Sequence, residues 1–155
     1  MVAQQLMEFL DQKRVSYQII RHTPSYTAQG VAAATHISGK ELVKTVIVKI
    51  DGAFAMAVVP ASRRVDLPSL RRELKSLNVE LASEAEFKDR FPGCETGAMP
   101  PFGNLYGMPV YVADSLAEDE EIAFNAGSHT EVVKLSYRDF ERLVQPRIMH
   151  FGVSV

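Results

Sequence analysis

Three stretches of the sequence carry residues whose types and spacing could do chemistry. The first is Leu42-Val-Lys-Thr-Val-Ile-Val48, a β-branched run with one lysine, Lys44. Alternate strand residues share a face, so Lys44 sits with Leu42, Val46 and Val48, while Val43, Thr45 and Ile47 take the other side. A lysine there either snorkels to solvent at the strand end or enters a pocket. In a pocket it is a fixed cation that can hold a phosphate or a developing oxyanion. The second stretch is Gly97-Ala-Met-Pro-Pro-Phe-Gly103. Glycine lets backbone approach a ligand and proline stiffens that approach. Pro100 and Pro101 have no N–H, so only Gly97, Ala98, Met99, Phe102 and Gly103 could donate to a water or an oxyanion. An ordinary structured turn is the alternative. The third is Phe124-Asn-Ala-Gly-Ser-His-Thr130, which crowds Asn125, Gly127, Ser128 and His129 into a turn between strands. Turn geometry alone explains Asn and Gly; a ligand-facing loop with a histidine is the functional reading. Ser128 and His129 are adjacent and there is no G-x-S-x-G elbow, so no hydrolase dyad is read here.

Other chemistries find little support. The four histidines show no metal-ligand spacing, and Ser38-Gly39-Lys40 lacks the distal glycine of a phosphate-binding P-loop. Glu118 to Glu121 reads as a solvated acidic turn. The single cysteine, Cys94, excludes an internal disulfide framework and reads as a half-buried structural thiol. Arg63, Arg64, Arg71, Arg72 and Lys75 form a basic cluster around a predicted helix, the best candidate for contact with a phosphate backbone. Net charge is −2, against the basic balance of proteins that grip long duplexes, so duplex DNA is not an expected partner. No run approaches the length of a membrane span. The N-terminus is amphipathic and carries acids, unlike a signal peptide, so a cytoplasmic protein is expected.

The elements that must position these residues follow from periodicity. Helical spacing of Leu6, Phe9 and Leu10 predicts a helix over 2–13. Residues 15–22 read as a strand, and Thr27 caps a helix to about Ala34. Residues 42–50 and 53–60 form a hairpin through Asp51-Gly52. Pro68 opens a helix through 77, residues 78–82 are a strand, and Ser83 with Glu86 is a capping box for a short helix to about Arg90. A loop from Phe91 to Tyr106 follows. Strands are predicted at 108–113, 121–126 and 130–135, the last two flanking a turn at Gly127-Ser128. Ser136 opens a final helix, YRDFERLV. With no regular strand–helix alternation, this is a single mixed α/β (α+β) domain over 1–155 rather than a Rossmann unit.

In this order, LVKTVIV, GAMPPFG and FNAGSHTEV resemble the YbaK/ProX type of aminoacyl-tRNA deacylases, free-standing relatives of the editing domain inserted in some prolyl-tRNA synthetases. The resemblance runs from about residue 23 to 144. It implies a curved, largely antiparallel or mixed sheet around a small pocket, with flanking helices. It implies hydrolysis of the ester joining a mischarged amino acid to the 3′ adenosine of tRNA, with no metal or organic cofactor. The family lysine maps to Lys44, and the G-x-x-x-P motif to Gly97 and Pro101. Lys44 and the backbone at Gly97 are the expected catalytic groups. Tyr26, Thr45, Ala98 to Gly103, Asn125, Gly127, Ser128 and His129 are the expected binding groups. The implied partners are the tRNA acceptor end and a prolyl-tRNA synthetase. Pro100 stands where family members carry Ser or Thr. The hydroxyl-free loop suggests a small apolar pocket, and hence alanyl-tRNA(Pro) as substrate. Rival readings are a non-catalytic module that binds tRNA or a synthetase, and a hydrolase of small esters.

Overall fold

The computed structural model describes residues 2–154; Met1 and Val155, the ends of the domain expected over 1–155, lie outside them. Helix α1 (Gln4–Gln12) buries Leu6 and Leu10, one turn apart, and leads into β1 (Tyr17–Arg21). Thr27 caps α2 (Ala28–Thr35) by accepting from Gly30 N at 3.0 Å. Strands β2 (Leu42–Ile50) and β3 (Ala53–Pro60) meet at Asp51 and Gly52, whose φ values of +50° and +86° suit the tight hairpin that the sequence predicts. Next come β4 (Arg63–Val65), α3 (Leu67–Leu74), β5 (Val79–Leu81) and α4 (Glu84–Phe87), the last with both bonds of the Ser83–Glu86 capping box. The order closes with β6 (Val110–Ala113), β7 (Glu121–Ser128), β8 (Glu131–Ser136), α5 (Tyr137–Val144), β9 (Arg147–Met149) and β10 (Gly152–Ser154).

One sheet runs β1-β8-β7-β2-β3-β6-β9, with β5 added on β2; β4 and β10 pair separately. The β1–β8, β8–β7, β2–β3 and β2–β5 joints are antiparallel, and β7–β2, β3–β6 and β6–β9 are parallel. The sheet is therefore mixed, as expected of this fold class. Its two faces bury different cores. The larger core holds Val43, Ile47, Phe102, Phe124 and Phe140. The other face carries one cluster under α3, with Val48, Val59 and Leu70, and a second under α2, with Val31, Leu42 and Ala123.

Several predicted boundaries move. The turn expected at Gly127-Ser128 lies instead at His129-Thr130, because β7 continues through a bulge between Asn125 and Ser128. Gly127, at φ +99°, forms that bulge rather than the turn. Helix α3 stops at Leu74, three residues early, where Lys75 adopts a left-handed φ of +54°. Strands β4, β9 and β10, three residues each, are unexpected.

Candidate active site

The site forms where the sheet opens. Strand β3 occupies one edge of β2 from Val43 to Ile50. On the opposite edge β7 pairs only at Leu42 and Val43, and β5 only from Val48 to Ile50. Residues 44–46 are thus left without a neighbouring strand on that side, and Lys44 stands at the mouth of this slot. Continuing the register Leu42↔Ala123, Val43↔Phe124 by one residue brings Lys44 level with Asn125. Alternation puts both side chains on the face that carries Leu42 and Ala123. Lys44 is half-buried, and among the described residues no carboxylate lies within ion-pair distance of it. Burial lowers its proton affinity below that of an ordinary lysine. Asn125 Oδ1 is buried and has no hydrogen-bond partner among the described residues.

The rim is the GAMPPFG loop stitched to the tip of the β7–β8 hairpin. Glu95 N donates to Gly127 O and Gly127 N to Ala98 O, both at 2.8 Å, and the Glu95 carboxylate accepts from His129 N at 3.1 Å. Gly97 has φ +89°, a conformation that favours glycine, and lies against the His129 ring. The His129 Nε2 is 2.9 Å from Thr96 O. A carbonyl only accepts, so Nε2 donates to it, and Nδ1 is buried with no partner among the described residues. Tyr26, 76% exposed, lays its ring 4.7 Å from that of His129, centroid to centroid. Ser25 N donates to His129 O at 3.2 Å, tying the loop before α2 to the same tip.

The proposed site residues divide on this geometry. Tyr26, Gly97, Ala98, Gly127 and His129 come together at the rim, and Lys44 and Asn125 are each the first residue past the last β2–β7 pair, Val43↔Phe124. Thr45 points to the other face of β2, with Val43 and Ile47. Ser128 is buried, with its hydroxyl shared between Thr130 Oγ1 and Glu131 Oε1. Pro100 and Pro101 are buried. Phe102 is a core ring packed on Phe9, Phe124 and Phe140. Gly103 is required by packing, since a β-carbon there would stand 2.4 Å from Met108 O. Gly97 N donates to the Met99 thioether at 3.2 Å, a weak acceptor, and Ala98 N donates to Glu95 O. Glu95 and Thr96, which lock the rim, carry no local sequence signal; their roles come from contacts more than thirty residues away along the chain.

Comparison with known proteins places the chain in a family. A sequence profile described as the aminoacyl-tRNA editing domain matches residues 22–143. The Multifunctional Ser/Thr-tRNA deacylase ProXp-y of Escherichia coli (strain K12) is 30% identical over 154 residues, covering 96% of this chain and 91% of that protein. The Prolyl-tRNA editing protein ProX of Acetoanaerobium sticklandii is 24% identical over 142 residues, covering 88% and 86%. A crystal structure provisionally described as a trans-editing enzyme for prolyl tRNA synthetase superposes with a TM-score of 0.83 at 17% identity, covering 98% of this chain and 97% of that one. No helix among the described residues is long and apolar enough to cross a membrane. The resemblance read from LVKTVIV, GAMPPFG and FNAGSHTEV and the reading of a hydrolase both stand: the chain belongs to the aminoacyl-tRNA editing domain family.

Proposed function

We propose that this chain is a trans-editing deacylase that hydrolyses the ester between a small amino acid and the 3′ adenosine of tRNA, with Lys44 as the cation at the reacting end. The observation that carries this reading is Lys44 itself: half-buried, with no carboxylate in ion-pair distance among the described residues, at the opening along β2. A cation held in that state is worth more to an incoming phosphate or carbonyl oxygen than the same charge in water. In the reaction, water oxygen bonds to the ester carbonyl carbon and the carbon–O3′ bond breaks. The 3′ oxygen takes up a proton, leaving free amino acid and tRNA. Lys44 holds the phosphate or the developing oxyanion, and the Gly97 backbone orients the water or the carbonyl. An aminoacyl ester is already activated, so positioning suffices and no side chain is assigned as general base.

Alanyl-tRNA(Pro) follows from the hydroxyl-free loop. The buried acceptor on Asn125 favours seryl and threonyl esters beside it, since leaving such an acceptor unpaired costs about 1–3 kcal/mol and a substrate hydroxyl or ammonium would satisfy it. The name of the Ser/Thr-tRNA deacylase relative supports the same extension. We include a prolyl-tRNA synthetase as partner on the strength of the ProX and trans-editing likenesses. The experiment is turnover of alanyl-, seryl-, threonyl- and prolyl-tRNA, with and without the synthetase, beside Lys44→Ala. Hydrolysis of a small ester by wild type but not by the variant is expected. Binding of tRNA with no turnover of any member would leave a binding module instead.

A further inference from the structure

Five of the lysines and arginines are paired with acids. Arg21 meets Glu131 at 3.5 Å, Lys40 meets Asp119 at 3.6 Å, Lys134 meets Glu121 at 3.6 Å and Arg142 meets Asp139 at 3.0 Å. Lys49 lies between Glu80 and Glu86. Arg63, Arg64, Arg71, Arg72 and Lys75 have no carboxylate within ion-pair distance among the described residues, and they stand close together along the chain, on β4, on α3 and at its C-cap. Arg63, Arg72 and Lys75 lie around the β10 end of the molecule. Arg63 and Val65 project from the same face of β4, and Val65 packs on the cluster under α3. A β-carbon built on Gly152 would stand 3.8 Å from both Arg63 Cδ and Val59 Cγ1. Val59 is the cross-strand partner of Lys44. Two residues from Gly152, His150 lines an open basin with Ser69, Arg72, Glu73 and Lys75. The nearby acids are mostly occupied, since Asp66 accepts from Ser69 and Asp114 bonds His150. Glu73 is the acid left facing that basin.

A row of unpaired cations therefore runs from the Lys44 slot, through Arg63, to Lys75. The whole protein carries −2, so attraction for a polyanion must be local, and this row concentrates five cations within thirteen residues. We infer that the face from Arg63 to Lys75 seats the phosphate backbone of the tRNA acceptor arm, with Arg63 as the contact nearest Lys44. The inference rests on the deacylase reading. Half-buried, Arg63 has its stem fixed by packing and its guanidinium free to grip a phosphate from a set direction. Arg64, Arg71, Arg72 and Lys75 are exposed and suit the diffuse contacts of a helical stem.

The test compares an aminoacylated acceptor-stem microhelix with the matching 3′-aminoacyl-adenosine, which has no phosphate. Arg63→Ala is expected to lower the kcat/KM preference for the microhelix about tenfold. Arg71→Ala/Arg72→Ala should lower it too, and flatten the dependence of log kcat/KM on log salt by about one unit for each phosphate left without its arginine. Both α3 positions are exposed, so the double variant keeps the test open if Arg63→Ala misfolds. Preference and salt slope unchanged in both variants would overturn the inference, as would equal falls on the two substrates. If wild type cleaves neither ester, the deacylase reading falls on its own. Anisotropy titration of the uncharged microhelix then still decides docking, through the same change in salt slope.

Discussion

Gly97 and His129 meet at the rim so that a β-carbon on the glycine would stand 3.5 Å from the imidazole Cε1. That spacing is ordinary van der Waals contact, so space does not forbid a side chain at position 97. The backbone does: φ is +89°. Gly97→Ala is expected to cost about 1–2 kcal/mol of stability through the left-handed conformation. It should also lower deacylation by disturbing the loop against His129. Thermal melts and single-turnover rates on the same preparation check this; a variant that matches wild type in both would show that the loop tolerates another conformation.

Lys44→Met separates stability from activity. Burial places the folded-state proton affinity of Lys44 below that of the unfolded chain. Between those two values the unfolded state binds more protons, so the unfavourable contribution of this lysine fades as pH rises through the lowered value. Methionine removes that contribution. The melting temperature at neutral pH should be equal to wild type or higher by about 2 °C. Deacylation should fall about 100-fold or more, as when one preorganised electrostatic group is removed. For wild type, kcat/KM should decline with rising pH sooner than an ordinary lysine would dictate. A flat alkaline profile together with an active Lys44→Met would remove Lys44 from the reaction.

Asn125→Leu fills the same space with no acceptor. If Asn125 Oδ1 receives a substrate donor, seryl-tRNA turnover should drop about tenfold relative to alanyl-tRNA. Competition between the two esters in one reaction reads this ratio directly. An equal fall on both would assign Asn125 to the ammonium common to every amino acid.

Phe102→Ala should destabilise by about 3–5 kcal/mol, since the ring fills space between Phe9, Phe124 and Phe140. Urea denaturation measures the change. A small effect with altered substrate size preference would instead place Phe102 among the groups that contact substrate.

Burial pushes the Cys94 thiol above its usual range, and its sulfur lies 3.4 Å from the Tyr106 hydroxyl. The thiolate is then scarce at neutral pH. Alkylation by iodoacetamide should be slower than for a free cysteine, and Cys94→Ala should retain deacylation. Fast labelling would contradict the buried thiol.

What the sequence revealed depended on how local each cause was. The β2–β3 hairpin is written in its β-branched runs and in Asp51-Gly52, and the caps at Thr27, Ser83 and Ser136 are short-range bonds. Strands β9 and β10 were silent because three residues hold no periodicity; they exist because β6 and β4 offer edges. Gly127 drew the turn to itself, although its positive φ serves a bulge. Phe102 read as a binding group because an apolar residue between prolines and glycines has no local reason to be buried; that reason is the distant Phe9, Phe124 and Phe140. The slot beside Lys44 depends on where β5 and β7 stop pairing, which no stretch of β2 encodes.

The bulge at Gly127 has a neighbour far away in sequence. Ala3 N donates to Ala126 O at 2.7 Å, and a β-carbon on Gly127 would come within 2.8 Å of the Ala3 methyl. The start of the chain is thus a wedge behind the strand that presents Asn125 and His129. It lies outside residues 22–143, which carry the family signature. A protein trimmed to those residues would keep every motif and lose the wedge. Sequence bounds on a domain and mechanical bounds on its active site are different lengths here, and tags or cuts near Ala3 act on chemistry more than a hundred residues away.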